Sequence, residues 1–210
     1  MSIITIILVS YIIGSIPTSI IVSKLWKGID IRQYGSGNAG LTNVLRVLGW
    51  KPSIIVGIVD FSKAYIATVY FSKIGADSIP LDYTLIQIIA GLSAVLGHIW
   101  TIFAGFKGGK GVLTALGLIV GLDPFAALIC FIIFWAIVYL SRYVSLGSIC
   151  AAVFFPIVIL IEKQYFNKDM SNYLLIFSLF ICILIIYTHR SNIKRLLAGT
   201  ENKFGKKKKQ

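Results

Sequence analysis

Seven apolar stretches alternate with polar ones along this chain, at about 3–22, 52–72, 84–104, 112–122, 124–140, 146–161 and 172–188. A helix that crosses a bilayer needs about 20 predominantly apolar residues, and most of these stretches approach that length. The pattern predicts an all-α integral membrane protein. It is a compact bundle of seven transmembrane helices in a single domain over residues 1–210, with a basic C-terminal tail at 189–210. The fourth stretch is short and ends at the Asp123-Pro124 break, which a re-entrant segment would also explain.

Charge decides between these two readings. With seven crossings, 16 of the 20 basic residues fall on one side of the bilayer. Lys73, Lys163 and Lys168 fall on the other, and Lys63 lies within a span. Positive residues collect on the cytoplasmic side, so the N-terminus is expected outside and the C-terminus inside. Without the fourth crossing, Arg142 and the tail lysines Lys206–Lys209 would lie outside. Composition agrees with a membrane protein. Of 210 residues, 57% are hydrophobic and 13% charged, against about a quarter charged in a soluble domain. The segment from Ile3 to Val22 lacks a basic leader and a small-residue cleavage site, so it reads as an uncleaved first helix. The net charge of +12 reads as anchoring beside anionic lipid heads, with no nucleic-acid partner. Cys130, Cys150 and Cys182 sit in apolar stretches, odd in number and without C-x-x-C spacing, so neither a disulfide framework nor a metal site is expected.

This topology puts three polar segments on the cytoplasmic face. The first runs from Gly35 to Arg46. Ser36, Asn38, Thr42 and Asn43 supply small polar groups, and Ser36 or Asn38 is placed to cap a helix starting near Ala39. Arg46 lies about one turn beyond Thr42 and Asn43, and a guanidinium binds phosphate in bidentate fashion. A polar turn with one snorkelling arginine is the plainer reading. The second segment holds Gly97-His98 and Phe106-Lys107-Gly108-Gly109-Lys110-Gly111. Ala104 and Gly111 break the nucleotide-binding P-loop pattern. Successive glycine N–H groups, two lysines and a helix starting near Val112 still describe an anion cradle; a flexible loop with two anchoring lysines is the alternative. His98, near the end of the third span, is a candidate binding group because ionisable residues in membranes serve function by default. Asp60 and Lys63, spaced i,i+3, read as a mutually satisfied structural pair. In the third segment, His189, Asn192 and Arg195 share one face if the last helix continues, opposite the apolar Ile193, Leu196 and Leu197. Interfacial anchoring alone would also account for it.

Taken in order, these segments resemble the bacterial acyl-phosphate-dependent glycerol-3-phosphate acyltransferase family, the PlsY family. The resemblance covers nearly the whole chain. It rests on Gly14-Ser15-Ile16-Pro17, Asp30-Ile31-Arg32, Gly35-Ser36-Gly37-Asn38 and Thr42-Asn43-Val44-Leu45-Arg46. It continues through Gly97-His98, Phe106 to Val112, Arg142-Tyr143 with Ser145-Leu146, and His189-Arg190 to Glu201. Ala39 and Thr101 stand where the family often has proline, and Ala64 where it often has glycine. What the resemblance implies is a multi-pass enzyme of the bacterial plasma membrane with its active site at the cytoplasmic face. It would transfer a fatty acyl group from acyl phosphate to the 1-hydroxyl of glycerol 3-phosphate, giving lysophosphatidic acid and inorganic phosphate. No cofactor or metal is implied. The partners are the two substrates and membrane lipid, with a monomer as the expected unit.

That chemistry suits the residues. Acyl phosphate is already activated, so positioning and charge stabilisation carry the reaction. The soluble acyltransferase motif His-x-x-x-x-Asp is absent, since Phe103 follows His98 and Lys194 follows His189 at that spacing. Direct transfer is therefore expected, with the hydroxyl proton passing to the substrate's own phosphate or to His189. The catalytic candidates are His189, Asn192, Lys107, Ser36 and Arg46. Asn192, Arg195 and Lys107 would hold glycerol 3-phosphate; Ser36, Arg46, Lys110 and the glycine N–H groups would hold acyl phosphate. Gly37, Asn38, Thr42, Asn43, His98, Gly108, Gly109, Gly111, Ser145 and Glu201 complete the expected binding set. The competing reading is a membrane transporter or channel for an organic phosphate, which also uses glycine-broken helices. Against it, the cations gather at one face and no half-to-half repeat exists.

Overall fold

The structure, a computed structural model, describes residues 3–74, 76–165 and 171–205. Lys168 and the tail lysines at 206–209, used above to orient the chain, lie outside these residues. Among the described residues every regular element is helical. The α-helices are α1 (Ile3–Gly14), α2 (Thr18–Lys27), α3 (Leu41–Leu48), α4 (Trp50–Val69) and α5 (Tyr83–Ile99), then α6 (Val112–Leu122), α7 (Pro124–Ser141), α8 (Val144–Tyr165), α9 (Asn172–Thr188) and α10 (Arg190–Leu197). Among the described residues five helical segments are long and apolar enough to cross a membrane: Ile3–Lys27, Trp50–Lys73, Tyr83–Ala104, Pro124–Ser141 and Val144–Tyr165. The α9–α10 pair makes a sixth if, bent by 60°, it counts as one span. The short α6 has 11 residues, about 16 Å of helix against a hydrocarbon core of about 30 Å. The chain divides into two compact units, Met1–Leu122 and Asp123–Gln210.

In the first unit α4 packs against α5 and α6, and α1 against α5. The first apolar stretch is not one continuous helix, as its hydropathy suggests. It breaks at Ser15-Ile16-Pro17, because Pro17 has no N–H to continue the ladder. At this break the Ile16 carbonyl accepts from Thr18 N (2.9 Å) and from Lys63 Nζ (2.6 Å). Thr101 Oγ1 donates to the Ser15 carbonyl, so the hydroxyl at this position ties the break to the end of α5. Helices α1 and α5 approach backbone to backbone. A Cβ on Gly14 would lie 2.1 Å from the Ala94 carbonyl oxygen, and one on Gly97 would lie 2.3 Å from that of Tyr11. Glycine at both positions is a condition of this packing.

In the second unit α8 packs against both α7 and α9. Helix α7 begins where sequence chemistry says it should. Asp123 Oδ1 accepts from Phe125 N and Ala126 N, both at 3.0 Å, with Pro124 in the first turn; this is a side-chain cap followed by a residue with no N–H to satisfy. The chain after α10 turns back onto the α7–α8 turn. Phe204 N donates to the Arg142 carbonyl at 2.7 Å, Lys203 Nζ lies 5.6 Å from the centroid of the Tyr143 ring, and Phe204 meets Trp135 edge to face. The three cysteines are free thiols in α7, α8 and α9.

Candidate functional site

The first polar segment is organised around Asn43, which is buried. Its Oδ1 accepts from Ser36 N at 2.8 Å, and its Nδ2 donates to the carbonyls of Ile31 (3.1 Å) and Tyr34 (2.9 Å). The amide expected to meet substrate thus shapes the loop that carries Ser36. Helix α3 starts at Leu41 with Gly40 at its cap and no side-chain cap bond. The expected capping by Ser36 or Asn38 is therefore replaced by the Asn43 bridge, which draws the Ser36 backbone inward. Ser36 itself is exposed, as is Arg46 in the last turn of α3, while Thr42 in the first turn is half-buried. Gly37 has φ 73°, a conformation natural to glycine. Asn38 Oδ1 is buried and has no hydrogen-bond partner among the described residues.

Arg32 braces this segment. It pairs with Asp30 at 2.8 Å and donates through Nη1 to the Ala104 carbonyl at 3.0 Å. Hydrogen bonds from Arg32 hold the Asp30 carboxyl below its usual range and raise the guanidinium in turn.

The Lys107–Gly111 loop departs from the expected cradle at two positions. Gly108 N donates to the Ile99 carbonyl at 3.0 Å and Gly109 N to the His98 carbonyl at 3.1 Å. These two N–H groups fasten the loop to the end of α5 instead of facing an anion. The glycines are required by proximity: a Cβ on Gly108 would lie 2.0 Å from the His98 carbonyl oxygen, and one on Gly109 would lie 2.2 Å from His98 Nε2 and 3.0 Å from the Ala39 carbonyl oxygen. Gly109 is thus where His98, the loop and the first polar segment meet. Lys107 is exposed and Lys110 half-buried, and Gly111 (φ 81°) turns the chain into α6 at Val112, where a helix was expected. The i,i+3 pair also forms, with Lys63 Nζ 2.7 Å from Asp60 Oδ1. His98 Nδ1 stands 3.6 Å from the same carboxylate oxygen, a contact that sequence spacing does not reveal because it depends on how α4 packs against α5.

The third segment gathers its residues in the second unit. The last helix does not run straight on: it bends at His189, which ends α9 and precedes α10. Asn192 and Arg195 still share a face, and Glu201 joins them. Glu201 Oε1 accepts from Asn192 Nδ2 (2.8 Å) and Ser145 Oγ (3.1 Å), and Oε2 from Arg195 Nε (2.7 Å). His189 Nδ1 lies 2.8 Å from the Ile185 carbonyl. A carbonyl only accepts, so Nδ1 carries the proton and the lone pair of the neutral ring resides on Nε2. A guanidinium carries five donors and Arg195 meets Glu201 through Nε, which is the chemistry of a group that can also hold an anion.

The description "Glycerol-3-phosphate acyltransferase" belongs to the family model that matches residues 4–199. The chain belongs to the glycerol-3-phosphate acyltransferase family. It is 48% identical to a glycerol-3-phosphate acyltransferase of Chlorobaculum tepidum over 96% of this chain and 97% of that one. With the enzyme of that name from Chlorobium chlorochromatii it shares 45% identity, covering 98% and 99% of the two chains. Crystal structures of PlsY, an integral membrane glycerol 3-phosphate acyltransferase, superpose with a TM-score of 0.84 in the glycerol 3-phosphate form and 0.81 in the lysophosphatidic acid form. Both are 38% identical and cover 98% of this chain and 96% of theirs. The family match spans the first two polar segments and the third up to residue 199, so membership and an integral membrane fold stand together.

Proposed function

We propose that this protein transfers a fatty acyl group from acyl phosphate to the 1-hydroxyl of glycerol 3-phosphate. The observation that carries the reading is the full-length likeness to an enzyme solved in both a glycerol 3-phosphate form and a lysophosphatidic acid form, an acceptor and its acylated product. Ser36, Arg46 and Lys110 would meet the phosphate of the donor; Lys107, grouped above with the glycerol 3-phosphate ligands, stands on the same loop as Lys110 and would instead add charge beside that phosphate. His189, Asn192 and Arg195 would hold glycerol 3-phosphate, with Ser145 and Glu201 setting their geometry. Asn43, Gly108 and Gly109 would act by shaping loops, given how their polar groups are engaged.

In the transfer, the C1 oxygen of glycerol 3-phosphate attacks the acyl carbon. The new ester C–O bond forms as the bond to phosphate breaks, and the electron pair leaves with phosphate. The hydroxyl proton goes to the substrate's own phosphate or to His189 Nε2. Cations near the leaving phosphate stabilise its developing charge. Seven crossings, an outside N-terminus and a cytoplasmic catalytic face complete the reading; they rest on the distribution of basic residues.

The test uses purified protein in detergent with acyl phosphate and radiolabelled glycerol 3-phosphate. Labelled lysophosphatidic acid is expected, with acyl-CoA inert as donor. Arg46→Ala and Lys107→Ala should each reduce the rate at least about 100-fold, as loss of a charged group at the reacting centre does. Uptake of labelled glycerol 3-phosphate into proteoliposomes without acyl transfer would overturn the enzyme reading in favour of a transporter. A trapped covalent acyl-enzyme would overturn direct transfer.

A further inference from the structure

Asp60 and Lys63 are each 3% exposed and lie in α4, inside a candidate span. Burying two charges in such a place is costly unless both are paired and hydrogen-bonded. Here they are, but the partners extend well beyond the pair. Lys63 Nζ bonds Asp60 at 2.7 Å and the Ile16 carbonyl at 2.6 Å, so it reaches the break between α1 and α2. Asp60 faces His98 Nδ1 at 3.6 Å. That contact turns the opposite edge of the imidazole toward Gly109, whose missing side chain leaves room for Nε2. Two loop N–H groups, from Gly108 and Gly109, bond the carbonyls of Ile99 and His98. A chain of contacts therefore runs from Ile16 through Lys63, Asp60 and His98 to the basic loop.

A mutually neutralised ion pair needs none of these extensions. An aspartate aimed at a histidine that itself abuts a Cβ-less residue of the phosphate-binding loop does more than satisfy charge. Its natural effect is to fix the ring, and the ring fixes how far the loop stands from α5. That distance sets where Lys107 and Lys110 present their charge.

We infer that Asp60, Lys63 and His98 form a positioning unit for the Lys107–Gly111 loop. The three residues hold the loop in the shape that binds the donor's phosphate, without touching substrate themselves. This rests on the proposed reading of the loop as the grip on acyl phosphate.

The experiment measures steady-state acyl transfer and thermal stability of the purified, folded protein. Asp60→Asn is the first variant. Asp60→Asn with Lys63→Met removes both charges together, so that no unpaired charge is left to unfold the protein. Thr68→Val, a buried hydroxyl on the same helix bonded to the Ala64 carbonyl, controls for general loosening of α4. The expected result is a rise of about tenfold in KM for acyl phosphate in the neutral double variant, with KM for glycerol 3-phosphate nearly unchanged. Thr68→Val should lower stability and leave both KM values alone. A second arm is the cycle of Gly109→Ala and His98→Ala. Each should raise KM for acyl phosphate, and the double variant should lose less than the product of the two, because the smaller residue at 98 makes room for the new methyl.

An overturning result would be wild-type KM values in the folded double variant, or strict additivity in the Gly109–His98 cycle. A KM change in Thr68→Val equal to that of the charge variants would equally defeat it. Absence of acyl transfer in the wild-type protein would instead defeat the functional reading, so the two failures are distinct.

Discussion

Asn43 in the first unit and Glu201 in the second each gather three partners, but with opposite chemistry. Asn43 is neutral and binds backbone: the N–H of Ser36 and the carbonyls of Ile31 and Tyr34. Glu201 is charged and binds side chains: Ser145, Asn192 and Arg195. An amide can donate and accept at once, which suits a crossing of peptide groups. A carboxylate only accepts, so it collects donors and cancels the charge of the one cation among them. The first region thus gets a fixed loop shape without changing its net charge, whereas the second gets fixed side chains by giving up part of its positive field. The lesson is that two loops proposed to hold anions need not be built alike. One is set by backbone geometry and the other by electrostatic attraction.

The most severe way to break the comparison is to make the first region resemble the second. Asn43→Asp keeps size and shape but turns the Nδ2 donor into an acceptor facing two carbonyl oxygens. The cost is expected near 3 kcal/mol, for a charged buried group without its bonds. That corresponds to about a hundredfold, visible as a lower thermal midpoint and as loss of acyl transfer. Glu201→Gln supplies the contrast. Wild-type stability with Asn43→Asp would show that the loop is not set by this amide.

Gly108→Ala tests backbone construction at the second loop. A Cβ there would stand 2.0 Å from the His98 carbonyl oxygen, and a backbone oxygen cannot swing aside as a flexible side chain can. Overpacking of this kind costs about 1–3 kcal/mol. We expect kcat/KM to fall roughly tenfold or more in a protein that remains folded. Unchanged kinetics would mean that the loop has slack.

Glu201→Gln should have a smaller effect. Its amide oxygen still accepts from Asn192 or Ser145, but its NH2 cannot accept, so Arg195 Nε loses both its acceptor and its charge partner. Because the Arg195 side chain is 33% exposed, water screens much of that loss. A few-fold drop in kcat/KM is expected, and salt should narrow the difference between variant and wild type. A loss as large as that of Asn43→Asp would erase the distinction between the two regions.

Much of this was legible in the sequence, and the parts that were not share a cause. Hydropathy located the helical stretches, though among the described residues only five segments, or six with the bent pair, are long and apolar enough to cross a membrane and the first stretch breaks in two. The Asp60–Lys63 spacing foretold their pair, because it is a local property. The short fourth stretch ended at a capping Asp123, as turn chemistry predicts. The roles of Gly108 and Gly109 were read from the glycines' capacity to expose N–H groups. Their actual partners are carbonyls of residues 98 and 99, set by how the loop folds back on α5. From sequence Asn43 reads as a substrate ligand, being small, polar and near Arg46. Only the path of residues 31–36 around it reveals that its amide is committed to backbone. The apolar pattern of α9 runs up to His189 without a proline or glycine, so nothing local in the sequence announces the bend there.

The gentlest perturbation acts on the brace beneath the first polar segment. Arg32 joins Asp30 to the Ala104 carbonyl, and its hydrogen bonds hold the Asp30 carboxyl below the ordinary value of 3.8. A carboxyl with a lowered folded-state pKa stabilises the fold above its unfolded pKa, and that contribution disappears as pH falls through the folded value. The brace is therefore intact near neutrality and weakens only below pH 3.8. Asp30→Asn removes this dependence. In limited proteolysis at neutral pH, the variant should be cut between α2 and α3 slightly faster than wild type, with acyl transfer reduced no more than about twofold, the scale of a partly exposed pair. In acid below that pKa, the two proteins should converge. A difference that persists there would show that Asp30 supports the loop through packing and not through its charge, and the first region would then owe still less to electrostatics than the second.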